Sequence, residues 1–294
     1  MGGKYLKYEG YDEEVCLAVA EHYLPSSSKD DLPSTKYGAI VSVADKLETL
    51  ISIFISGKRP SGSSDPYALR RNLNGVVKII WNFELDFSIE NLFAELIEYW
   101  KSSLINLNFV EKKVLADLIE FLLQRIESHL EEIAIDKELI RAICTSDDSY
   151  KKRILNINDL RNRIESILVY KEKGSFDEIQ KIITRVSKLA DNGDINTDVL
   201  SKEGYINKEL FEKQCELKVF EFIEELEKLN TKKDWNYLKI LNLFEMNIKI
   251  IEEMFDNEKG VLVMSEDIKI RENRLNLLGI IRNYSLKIVD FKLL

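Results

Sequence analysis

Apolar residues recur along this chain at intervals of three and four, the period of one face of an α-helix. From Asp12 to Tyr23 the positions Val15, Leu17, Ala18, Val19 and Tyr23 suit a short helix that Pro25 ends. A second helix opens at Pro33 and Ser34 and places Ile40, Val43, Leu47, Leu50, Ile51 and Phe54 on one face. Gly38, Ser42, Asp45, Thr49 and Ser52 fall on another, small and polar, suited to a close neighbouring helix. Further amphipathic helices are predicted over 87–107 with Ser88 as cap, 110–133, 136–144 and 148–173. Beyond Gly174, Ser175 and Glu178 have the spacing of a capping box and open a helix that carries Ile179, Ile182, Ile183, Val186 and Leu189. Helices over 210–229 and 235–255 follow, and Ser265 with Glu266 and Asp267 starts a last one that runs to about Val289. Between them, the polar stretch 191–208 reads as a mobile crossover, and VLVM (261–264) as a short buried segment. No proline follows Pro66, so nothing interrupts this succession, and the fold class is all-α, built of multi-helix bundles.

Composition narrows the picture. With 294 residues, 45% hydrophobic and 32% charged, the chain can bury sizeable cores and has room for two domains. The net charge of -9 disfavours a general nucleic-acid binder, so any RNA contact has to be local. Cys16, Cys144 and Cys215 lack C-x-x-C spacing and are odd in number, which suggests neither a zinc site nor a disulfide framework, and a reducing compartment. Neither a signal peptide nor an apolar run of about 18 residues is visible, so the expected location is cytoplasmic with no membrane contact.

Local charge opposes global charge at residues 57–80. Lys58, Arg59, Arg70 and Arg71 crowd a loop of Gly, Pro and Ser that becomes helix at Asp65, the expected N-cap, and Pro66. Gly57 and Gly62 have the outer spacing of a phosphate-binding loop, but Ser63 and Ser64 stand where Lys and Ser/Thr are needed, which excludes a nucleoside triphosphate site. Residue physics alone reads the stretch as a helix start with a solvated basic flank. The same reading covers Lys151 to Arg153 with Arg161 and Arg163. With only His22 and His129, and no nucleophile motif, no catalytic residue is expected.

The string PSGSSDPYALRR (60–71) closely resembles the P-T-G-S-K-D-P-F-A-L-R-R signature of the bacterial glycyl-tRNA synthetase β subunit. EHYLP (21–25), DLPST (31–35) and VADKLETL (43–50) resemble that family's preceding segment in order and spacing. RVSKLA (185–190) and the tail from Phe255 to Leu294 resemble its anticodon-binding end, with two or three extra residues at Glu258 to Gly260 and with Lys188 where the family has Asn. The resemblance is weaker between 81 and 175. It implies three stretches: the C-terminal part of an HD-like helical domain (1–85), a helical linker region (86–174) and an anticodon-binding helical domain (175–294). It also implies a fragment that begins at an internal methionine, so that apolar surface in the first 80 residues lacks partners and deleting them improves solution behaviour.

The implied partners are glycine tRNA and the synthetase α subunit, in a heterotetramer of two α and two β chains. The complete enzyme uses ATP and magnesium, while this chain binds no cofactor and no metal. Expected tRNA-binding residues are Arg271, Asn273, Arg274, Arg185, Lys58, Arg59, Arg70 and Arg71. Arg271 and Arg274, three apart, share a face of the last helix that packing leaves unburied. An intrahelical salt bridge to Glu266 or Asp267 is the alternative for the pair. Two other readings of the whole chain stay open. VADKLETL looks like the late metal-binding helix of HD phosphohydrolases, with Asp45 as the ligand, although the chain lacks a His-Asp pair to complete it; the other reading is a helical adaptor without RNA.

Overall fold

The computed structural model describes residues 1–27, 29–62, 64–103, 108–144, 155–229 and 235–294. Among them are twelve α-helices and no strand: α1 (Gly2–Tyr8), α2 (Glu13–Glu21), α3 (Lys36–Ile55), α4 (Leu69–Phe83), α5 (Ile89–Ser103), α6 (Glu111–Glu132), α7 (Lys137–Cys144), α8 (Ile157–Lys173), α9 (Phe176–Ala190), α10 (Gln214–Leu229), α11 (Tyr237–Glu253) and α12 (Ile268–Leu286). The all-α expectation holds. The chain divides into two compact units, one of residues 1–140 and 146–161, the other of 141–145 and 162–294. The stretch expected to be a separate linker is therefore shared between them. Residues 86–140 belong to the first unit because Phe93, Ile97, Leu118 and Leu122 are buried where α5 and α6 pack on α3 and one another.

In the first unit α3 is central and packs against α2, α4, α5 and α6. Its buried face carries Val43, Leu47, Leu50, Ile51 and Phe54 as the spacing predicts, while Ile40, assigned to the same face, is 50% exposed. The polar face admits α2 through Gly38 and Ser42, whose hydroxyl donates to the Leu24 carbonyl. Asp45 stands exposed, and Lys46 is the buried ionic group. Among the described residues no cluster of three or more His, Cys, Asp or Glu could hold a metal.

The start of α4 differs from expectation. Its helix begins at Leu69, after a turn in which Ala68 adopts φ 56°. Asp65 still caps it, its two carboxylate oxygens accepting from the backbone N–H groups of Leu69 and Arg70.

In the second unit α12 is buried nearly all round, its side chains covered almost without break from Asn273 to Ser285. It packs on α9 and α11 is covered by α10 and α9. The polar crossover 191–208 is not loose: α12 ties it down. Asn273 donates to the Asn207 carbonyl and accepts from the Asn207 N–H, at 3.0 and 2.7 Å. Asn276 reaches the Tyr205 carbonyl, Arg282 that of Ile195, and Asn283 those of Asn196 and Val199. Gly279 is the point of closest approach, since a Cβ there would lie 2.2 Å from Ile195 Cγ2. Composition predicted mobility because polar loop backbone usually faces water; buried amides on α12 take the place of that water.

Three smaller expectations change. Ser175 forms no capping hydrogen bond, because its φ of -95° and ψ of -5° are already helical. VLVM alternates rather than buries, with Val263 6% and Leu262 70% exposed. Arg163, read as part of a solvated basic face, is fully buried, and Arg161 donates to the Trp81 carbonyl and pairs with Glu84. Lys151 to Arg153 lie outside the described residues.

Candidate nucleic-acid interface

The eight nominated residues fall into two groups, one in each unit. In the second unit the turn that follows α11, the residues just before α10 and the flanks of α9 and α12 enclose a cleft of about 560 Å³. Arg185 projects from the exposed side of α9 and lies over the Phe255 ring, 4.4 Å from its centroid. The opposite wall is the turn 256–265. Its shape comes from Asp256, whose carboxylate accepts from the N–H groups of Glu258 and Lys259, and from Gly260, whose N–H donates to the Asp256 carbonyl. A Cβ at Gly260 would lie within 2.6 Å of three backbone atoms, so the extra residues close only around a glycine. The backbone N–H groups of Lys259 and Glu258 hold the Asp256 carboxyl below its usual pKa. The turn presents Leu262 and Met264 outward, and Lys213, donating to the Glu258 carbonyl, stands at the rim.

Arg274 lines this cleft but is not free in it. It is 2% exposed; its Nε donates to Glu216 at 2.8 Å, its Nη2 to Glu212 at 2.6 Å and its Nη1 to the Leu262 carbonyl. Burial works against its charge, but the hydrogen bonds to Glu216 and Glu212 prevail and hold its pKa above the ordinary arginine value. The expectation of two unburied arginines is thus corrected. Neither Glu266 nor Asp267 is the partner: Asp267 instead caps α12 by accepting from the N–H groups of Lys269 and Ile270. Asn273 is likewise spent on Asn207. Arg271, half-exposed on the first turn, has no hydrogen bond or ion pair among the described residues.

The signal for Arg274 was in the spacing. Arg274 shares a stripe with Leu277, Leu278 and Ile281, and Glu216 shares one with Val219, Phe220 and Ile223, so each charge falls on an apolar face. Phe255 is the residue that sequence reasoning missed, and its place among apolar neighbours gave no sign that an arginine covers it.

In the first unit, Arg59 is half-buried, stacked on Phe54 and paired with Asp117 at 2.7 Å, which makes it a brace between the loop and α6. Lys58 is exposed and lies over the Tyr67 ring. Arg70 and Arg71 have no side-chain hydrogen bond or ion pair among the described residues. The structure therefore keeps Arg185, Arg271, Lys58, Arg70 and Arg71 accessible, and commits Arg274, Asn273 and Arg59 to internal contacts. Among the described residues no helix is long and apolar enough to cross a membrane.

A family profile described as glycyl-tRNA synthetase beta subunit matches residues 1–145. The glycine–tRNA ligase β subunit of Trichodesmium erythraeum is 37% identical over 296 residues, 99% of this chain and 41% of that protein. That of Acaryochloris marina is 34% identical over 297 residues, with the same two shares. For the glycine–tRNA ligase β subunit of Thermodesulfovibrio yellowstonii, 34% identity extends over 95% of this chain and 37% of that protein. The chain thus spans about 41% of the length of the first of these relatives, and the similarity runs through both units, from the signature loop to the residues that line the cleft. The chain belongs to the glycyl-tRNA synthetase β-subunit family.

Proposed function

We propose that this chain is a tRNA-recognition portion of glycine–tRNA ligase, and that the cleft of the second unit takes the anticodon loop. The observation that carries the reading is Arg185 laid over Phe255 at the mouth of a cleft with outward Leu262 and Met264. Sequence-specific RNA recognition acts on unstacked bases, which stack on aromatic rings and guanidinium planes. An accessible guanidinium over a ring, beside apolar side chains, offers such a platform. Arg271 and Lys213 supply charge for the flanking phosphates, and Arg274 acts from below by fixing α12 to α10.

In this reading residues 175–294 serve as the anticodon-binding domain and the first unit as the HD-like part. The complete enzyme, two α and two β chains in the cytoplasm, attaches glycine to its tRNA with ATP and magnesium, the chemistry residing outside this chain. Similarity to named β subunits over almost the whole chain supports it.

The test is binding of a glycine tRNA transcript by the full chain across a salt series, with a tRNA of unrelated anticodon as competitor. Arg185→Ala should weaken binding about tenfold, the scale of one stacked base, and lower the log–log salt slope by about 0.7. Equal binding of both tRNAs, or an unchanged affinity for Arg185→Ala, removes the cleft from consideration.

A further inference from the structure

A second, smaller recess lies in the first unit, about 200 Å³, between the turn at Pro25 and Ser27 and the α4–α6 seam. It is below the usual size of a pocket for a whole cofactor, roughly 300 Å³ and upward, and has room for one small group. Three positions on one face of α4 line it: Arg71, Asn74 and Lys78, three and four residues apart.

Two of the polar side chains there have unused hydrogen-bonding capacity among the described residues. Arg71 is exposed, with no side-chain hydrogen bond or ion pair among the described residues. The Asn74 Oδ1 is buried without a hydrogen-bond partner among the described residues, and no hydrogen bond among them uses the Nδ2 donor of the same amide, which lines the recess with Arg71. Lys78 pairs with Glu132 at 2.7 Å, which matches the carboxylate among the described lining residues to an ammonium.

Behind the floor stands Lys46, 3% exposed. A Cβ built on Gly75, which lines the recess, would lie 3.0 Å from Lys46 Cε. Among the described residues its ammonium makes one hydrogen bond, to the neutral Tyr23 carbonyl at 2.9 Å, and no ion pair. A buried charge without a counter-charge is costly, and an anion nearby would offset that cost. Burial accordingly pushes the Lys46 pKa down, with Asp45 acting weakly in the other direction.

The surroundings repeat the pattern. Burial, and after it the charge of Arg70, disfavours the charge of Arg125 on α6, which Asp65 and Glu127 favour, and the Arg125 Nε is buried without a hydrogen bond among the described residues. Asp65 is occupied by two backbone N–H groups. In a chain of net charge -9, this seam gathers Arg70, Arg71, Lys78, Arg125 and Lys46, with Asp65, Glu127 and Glu132 as the nearby acids.

We propose that the recess is an oxyanion site for a phosphoryl group, held by the Arg71 guanidinium, the Asn74 amide and the Lys78 ammonium over the buried Lys46 charge. The phosphoryl group belongs either to an RNA backbone or to a free phosphorylated small molecule. Only the first source rests on the tRNA reading.

Inorganic phosphate is the probe, titrated against the full chain at constant ionic strength with chloride as balance. The readouts are the Gly75 backbone and Asn74 side-chain amide resonances. Saturable shifts in the millimolar range are expected. They should weaken at least tenfold in Arg71→Ala and in Lys46→Met, and be unchanged in Arg185→Ala, which lies in the other unit. Absence of saturation, or identical curves in Arg71→Ala and Lys46→Met, overturns the site. Glycine tRNA added to the phosphate-loaded chain then identifies the source: displacement at Gly75 supports the RNA backbone, and retention of phosphate beside bound tRNA supports a free small molecule. A chain that binds phosphate but no tRNA keeps this site while the proposed function fails.

Discussion

His129 shows how one buried ring couples the first unit to pH. It is 4% exposed, its two ring nitrogens have no hydrogen-bond partner among the described residues, and its ring meets that of Trp81 edge to face with centroids 5.2 Å apart. Burial pushes its pKa from 6.5 down to about 4; Glu132 opposes this weakly and Lys78 adds to it. The unfolded chain therefore binds a proton that the folded chain refuses, so stability falls as pH drops from 6.5 towards 4 and changes no further from this source below that. At about 1.4 kcal/mol per pH unit, the full loss is on the order of 3 kcal/mol. His129→Leu should flatten this limb in urea denaturation followed as a function of pH, while an unchanged acid limb would place its origin elsewhere. At this scale the sequence was an uneven guide. The residue types of the interface were visible, but whether a cation reaches solvent depends on one carboxylate across a bundle. Arg185 and Arg271 stay out, whereas Arg274 and Arg163, in equally charged surroundings, are buried.

Helices themselves were legible because their apolar period is strong: α3, α6, α7 and α11 begin and end within a few residues of expectation. Their ends and their partners were not. The capping box at Ser175 fails on backbone geometry, and α4 starts late because Pro66 and Tyr67 form a turn, closed by the Ala68 N–H donating to the Asp65 carbonyl, instead of the first helical residues. The α10–α12 contact carries the sharpest energetic consequence. Arg274 and the fully buried Glu216 are joined at 2.8 Å, and removing one member leaves the other charge inside. Arg274→Met should cost about 3 kcal/mol in chemical denaturation, within the range for a broken buried pair. Arg271→Ala, one turn away and accessible, should change stability by only about 0.5 kcal/mol. Similar stabilities for the two variants would show that the Arg274 pair contributes little.

For the molecule as a whole, similarity to relatives covers both units, but the division of the chain into units could not be read from composition, because a buried face looks the same whichever neighbour covers it. The expectation that deleting residues 1–80 improves behaviour changes accordingly. Exposed apolar side chains do occur there, among them Tyr8 at 94%, Tyr23 at 64% and Tyr37 at 60%, on the outer positions of helices and in the loops that join them. The same segment contains all of α3 and most of α4, which cover Phe93, Ile97, Leu118 and Leu122. Its loss uncovers that core face, and exposed apolar surface of this kind self-associates. The deleted chain should lose soluble yield and elute as aggregate in size-exclusion chromatography; a well-dispersed monomer would mean that α5 and α6 repack without α3. The tethering of the crossover by α12 also bears on the order of events during synthesis. The loop precedes its fixing residues by 66 to 87 positions, from the Asn207–Asn273 pair to the Ile195–Arg282 pair. During translation the loop leaves the ribosome well before the asparagines that hold it, and contacts of such long sequence separation form late. Residues 191–208 are therefore the last part of this unit to gain protection from proteases in a growing chain.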